Sequence, residues 1–245
     1  MLRQSPHPRW QVALAASILL GWACTGGAGN DEATQAQEER MAMTAELEQK
    51  RQVRGEELRA MPADALADEL DAEAARGVEP FNSTAYAEAV SRGEAAAPAL
   101  KQRFEGGQRS SYLTLLALRS VSPPTYGEVD PTLRTGVLVD ALAGAETFNA
   151  WGLPHQYWED AAEALIAEGT TAAQALRPLL DDCRPAPLWG SEEVLASREY
   201  GYRLCDYALA LIREIAGEDG DLPKDPAERD RLRAQLAGPS ADGPQ

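Results

Sequence analysis

The chain has 245 residues, 39 acidic against 23 basic, and a formal charge of −16 at pH 7. Lys50, Lys101 and Lys224 are the only lysines, and the arginines form no cluster. The composition therefore argues against nucleic acid or anionic lipid headgroups as partners, since both need a positive patch.

The first segment carries Arg3 and Arg9, no acidic residue before Asp31, and an apolar run from Trp10 to Ala23 broken only by Gln11, Ser17 and Gly21. That layout is expected of a signal peptide over residues 1–23. The run is too short to cross a bilayer, which takes roughly 20 apolar residues. Leu20, Gly21, Trp22, Ala23 and Cys24 follow, then the small, polar stretch Thr25 to Asn30. This resembles the lipobox of bacterial lipoproteins. The resemblance implies a diacylated Cys24 as the new N-terminus, a flexible tether over 24–30, and a protein held on the extracytoplasmic side of a membrane. Ordinary cleavage near Ala23 or Ala28 is the alternative, and it leaves a secreted or periplasmic soluble protein. Loss of Arg3 and Arg9 takes the formal charge to −18. With Cys24 used by the lipid, Cys183 and Cys205 remain as an even pair in an oxidising compartment and are expected to form a disulfide. Two unrelated buried thiols are the other possibility.

Residues 31–61 are rich in Ala, Glu, Gln, Arg and Met, with no Pro or aromatic residue. Helix propensity is high, but the apolar stripe of Met43, Leu47, Leu58 and Met61 is thin, which predicts an exposed stalk helix. Pro62 to Arg76 reads as a second helix with Leu66 and Leu70 inward and Gly77 as its stop. Together these are the stalk helices of residues 31–78. From 79 to 237 packed helix pairs are expected. One face carries Tyr86, Ala89 and Val90 before Gly93, and the next carries Ala96, Ala97, Leu100 and Phe104 before Gly106. Leu113, Leu116 and Ala117 mark another helix. A Pro123–Pro124 loop is expected next, then a helix capped by Asp130 with Pro131 in its first turn. Beyond a loop at Pro185, Pro187 and Gly190, one long helix is expected over Glu199 to Ala216. A last helix starts at the Asp225–Glu228 capping box, and a disordered tail fills 238–245.

Residues 88–104 lie over 164–180 at an offset of 76, with Gly93 on Gly169, Ala97 on Ala173, Ala99 on Ala175, Leu100 on Leu176 and Phe104 on Leu180. That is two periods of about 40 residues. The chain here resembles the HEAT-like helical repeat family, and the resemblance implies an all-α array of αα-hairpins preceded by the stalk helix. It brings no catalytic residues.

Signatures of chemistry are sparse. His155 is the only histidine after the leader and has no nucleophile at an identifiable position. No close pair of zinc ligands, calcium loop or phosphate loop is present, so no metal or cofactor is expected. The one concentration is aromatic: Trp151, Trp158 and Trp189 fall between residues 148 and 207 with Phe148, Tyr157, Tyr200, Tyr202, Tyr207, His155, Arg184 and Arg203. Trp, Tyr and Arg on loops make binding hot spots. Trp151, His155, Tyr157, Trp158, Arg184 and Trp189 are therefore the expected surface for an unknown protein or peptide partner, and packing of the same rings is the competing reading. The expected function is a non-enzymatic, lipid-anchored scaffold. A hydrolase with a pocket around His155 and a purely structural envelope spacer are the alternatives.

Overall fold

The computed structural model describes residues 29–106, 111–149, 151–157, 160–189, 193–218 and 220–237. The expected signal peptide, Cys24, most of the tether, Trp158 and the tail 238–245 lie outside them. The described residues are all-α, with no strand and only two isolated bridges. None of their helices is long and apolar enough to cross a membrane.

The chain falls into two units, Met1–Gln49 and Lys50–Gln245. In the first, residues 29–49 form most of α1 (Gly29–Ala60), and the side chains described there, Met43 and Leu47 among them, are exposed. The thin stripe thus produces a helix that buries no core face.

The second unit takes in the end of α1, where Leu58 becomes fully buried, and continues through α2 (Ala63–Ala75), α3 (Thr84–Arg92), α4 (Ala97–Glu105) and α5 (Tyr112–Val121). Then come α6 (Pro123–Glu128), α7 (Pro131–Ala143), α8 (Asp160–Ala167), α9 (Thr170–Leu176), α10 (Glu193–Tyr200), α11 (Leu204–Ile215) and α12 (Pro226–Ala237). α2 packs on α3, α4 and α5, and α5 closes against α3 and α4; likewise α7 packs on α8 and α9, and α11 closes against α8 and α9. The second unit thus contains two similarly packed sets of four helices, which touch where α5 meets α7 and α8, with the end of α1 and α6, α10 and α12 added to them.

The offset of 76 has a conformational cause. α3 stops at Gly93 with φ 59° and ψ −145°, and α9 begins after Gly169 with φ 62° and ψ −132°. A Cβ at either glycine would meet nothing within 4 Å. The requirement is therefore for a positive φ, which a side chain opposes. The paired residues Leu100 and Leu176, and Phe104 and Leu180, are all buried.

Polar side chains fix the helix ends. Asp130 accepts from the Thr132 and Leu133 amides at 2.8 and 3.0 Å, as the Asp-Pro pattern foretells. Glu73, buried at the end of α2, accepts from the hydroxyls of Ser83 and Thr84 at the start of α3. Arg134 on α7 makes a two-pronged pair with Glu168 at 2.7 and 2.8 Å. Its remaining prong meets the Tyr126 and Val129 carbonyls, and the Tyr126 hydroxyl donates to Glu168 at 2.7 Å.

Three local expectations need correction. Pro123 and Pro124 open α6 rather than a loop, because the first helical positions need no amide donor. The helix expected over Glu199–Ala216 is two: Gly201 takes φ 58°, and extended Arg203 leads into α11. Val90 is 41% exposed although it shares a short helix with buried Ala89.

Candidate functional site

The aromatic segment consists of two loops that fold onto α11. Where the first, after α7, meets the second, before α10, the Phe148 amide donates to the Pro187 carbonyl at 2.8 Å. The Asn149 side chain then donates to the Trp189 carbonyl at 2.5 Å and accepts from the Trp189 amide at 2.7 Å. One asparagine therefore satisfies both backbone groups of an exposed tryptophan. The second loop is anchored in turn to the chain entering α11. The Ala186, Leu204 and Cys205 amides donate to the Tyr202, Arg184 and Asp182 carbonyls, and Cys183 and Cys205 form the expected disulfide.

Under the loops the rings form a continuous stack. Phe148 lies 4.7 Å from Tyr207, Tyr207 meets Tyr202 edge-on at 6.3 Å, and Tyr202 stacks on Tyr200 at 5.0 Å. The buried Tyr207 hydroxyl donates to the Gly152 carbonyl at 2.6 Å. Burial pushes the Tyr157, Tyr202 and Tyr207 phenols up, so all three stay neutral. Next to this stack Arg229, fully buried, ties four backbone carbonyls together: Pro223, Lys224, Tyr200 and Gly201. Its Nε sits 3.1 Å from the Asp206 carboxylate, which also holds Arg203.

The structure sorts the residues expected on a partner surface. Trp151 is 3% exposed and belongs to the core beneath the loops, because its own amide and that of Gly152 turn back onto the Phe148 carbonyl. Trp189 is 63% exposed, and the Arg184 side chain is exposed beside Asp182 at 3.7 Å. Tyr157 is half-buried.

His155 sits in a tight turn whose ends, Leu153 and Gln156, exchange both backbone hydrogen bonds. Pro154 precedes it and its φ is +65°, a conformation that costs a side-chain-bearing residue about 1–2 kcal/mol. Its Nδ1 lies 3.4 Å from Glu214 on α11, while its Nε2 is buried with no hydrogen-bond partner among the described residues. Chemically this is a histidine–carboxylate contact with no nucleophile hydrogen-bonded to it among the described residues. No group of His, Cys, Asp and Glu side chains among them is arranged to hold a metal ion.

The disulfide gives a direct test of how these loops are held. Replacing both Cys183 and Cys205 by serine is expected to cost about 3 kcal/mol, the loop-entropy value for a closure of this size. The urea midpoint of the double variant and a thiol titration of the unfolded, unreduced wild type check it; two free thiols would contradict the bond.

Set against models of protein families, curated proteins and solved structures, the chain matches none.

Proposed function

We propose that the chain is an exported lipoprotein, anchored through Cys24, whose HEAT-like helical array presents a surface centred on residues 148–158 and 183–200 to a protein or peptide partner without catalysing a reaction. The observation that carries this reading is Trp189. It is a large apolar side chain left 63% exposed on a loop whose backbone is fixed from both sides by Asn149. An exposed tryptophan on a preorganised loop loses little conformational freedom on binding and makes a strong anchor. The disulfide supports an extracytoplasmic location, since such bonds persist in oxidising compartments.

Two measurements test the two halves of the proposal. Cys24→Ala is expected to move the protein from the membrane fraction to the soluble one, and continued membrane association overturns the anchor. Trp189→Ala with Arg184→Ala is expected to remove the partner recovered by crosslinking in cells while leaving the helical circular dichroism unchanged. An unchanged set of crosslinked proteins overturns the surface.

The His155–Glu214 contact favours a second reading, a hydrolase in which this pair activates water. His155→Ala that folds and leaves unaltered any hydrolytic activity found in the wild type removes it.

A further inference from the structure

A cleft of about 460 Å³ opens between the ends of α2 and α7, within the range of sites that hold ligands. These helices hold corresponding places in the two sets of four. Its walls are residues 74–77 from the end of α2 and Ala141 and 144–147 from the end of α7, while Tyr112 and Trp151 supply aromatic surface.

Two independent features give this space a negative character. Both helices point their C-terminal ends at it, and neither has a basic residue in its last turn. A helix C-terminus behaves as roughly half a negative charge and favours cations. The lining also carries two carboxylates, Glu79 and Glu146. Glu79 is half-buried and oriented by the Thr147 hydroxyl, which donates to it across the cleft at 2.8 Å. Against these stands Arg76, also in the lining, which is exposed and pairs with Glu69 at 3.1 Å.

We propose that this cleft receives a basic side chain, lysine or arginine, of the peptide partner. Carboxylates together with the half-buried Tyr112 ring match a group with a charged head and an apolar stem. The charge of −16 over the whole chain would draw such a peptide in. This inference rests on the partner-binding reading above for the ligand's being a peptide; the recognition of a cation rests on the cleft alone.

The test uses the full chain and hexalysine, followed by fluorescence anisotropy at about 0.15 M salt, where distant charges are screened. The double variant Glu79→Gln, Glu146→Gln keeps both side-chain shapes and the acceptor for Thr147. It is expected to bind hexalysine roughly tenfold more weakly than wild type, about 1.4 kcal/mol. The charge-matched double variant Glu56→Gln, Glu163→Gln, altered at exposed positions outside the cleft, is expected to bind within roughly twofold of wild type. Equal weakening in both variants, or none in the cleft variant, overturns the proposal, as does failure of wild type to bind. Spermidine binding more tightly than hexalysine overturns the peptide as ligand. Loss of hexalysine in the cleft variant alone, together with unaltered crosslinking in the Trp189 variant, keeps the cleft and removes the loop surface.

Discussion

Asp206→Ala is expected to destabilise the folded chain by about 3–5 kcal/mol, the usual result of leaving a buried partner charge uncompensated. Asp206 is 1% exposed and Arg229 is fully buried, with Nε 3.1 Å from the carboxylate. The same carboxylate accepts from the Arg203 backbone amide and from its guanidinium at 2.9 and 3.0 Å, so it also closes the first turn of α11. Removing it strands one guanidinium that cannot reach water and loosens another. Arg229→Met fails differently, because the carbonyls of Pro223, Lys224, Tyr200 and Gly201 then lose their donor. The double variant Asp206→Ala, Arg229→Met is expected to cost less than the two singles together, since no unpaired charge remains. Urea denaturation of all four proteins measures this; additive losses would mean the pair is not coupled.

Glu168→Ala is expected to cost about 3 kcal/mol, at the low end of the range for a broken buried pair. Its carboxylate is 5% exposed and receives both the two-pronged Arg134 and the Tyr126 hydroxyl. An arginine guanidinium is not deprotonated in a protein, so Arg134 remains charged when its partner is removed. Because Arg134 also gathers the carbonyls at the end of α6, the damage should spread beyond α8. Hydrogen exchange is expected to quicken across α6 and the first turn of α7 while α2 to α4 keep their protection. Uniform quickening through the whole unit would show that the two sets of four helices unfold as one.

Neither keystone was legible in the sequence. Arg229 stands among Arg231 and Arg233 in a charged helix, and Arg134 looks like any helix-surface residue. Their burial follows from chain segments that arrive from elsewhere: Tyr200 and Gly201 for one, Glu168 for the other. What could be read ahead was local. The Gly93 and Gly169 correspondence, the Asp130 cap and the inward Leu66 and Leu70 depend on backbone conformation and periodicity, which a few neighbouring residues decide. Trp151 shows the limit on the side of the site. Composition marks it as equal to Trp189, yet one is core and the other exposed. The difference lies in which ring the hydrogen bonds of residues 148–152 turn inward. The break at Gly201 was hidden for a related reason, since Tyr202 and Arg203 leave the helix to pair with the loop at 184–186, some 17 residues earlier in the chain.

The described side chains of α1 over residues 29–49 bury no core surface, and this sets the mechanical character of that segment. Its helix is held by backbone propensity and contacts along the helix itself, such as the Thr44 hydroxyl on the Arg40 carbonyl, so it is a local equilibrium rather than part of a cooperative fold. A residue that leaves the helix lengthens from 1.5 Å to roughly 3.3 Å along the chain. The segment is therefore extensible: warming or a modest pull converts turns into reach, which lowers the tension at any given separation of its ends.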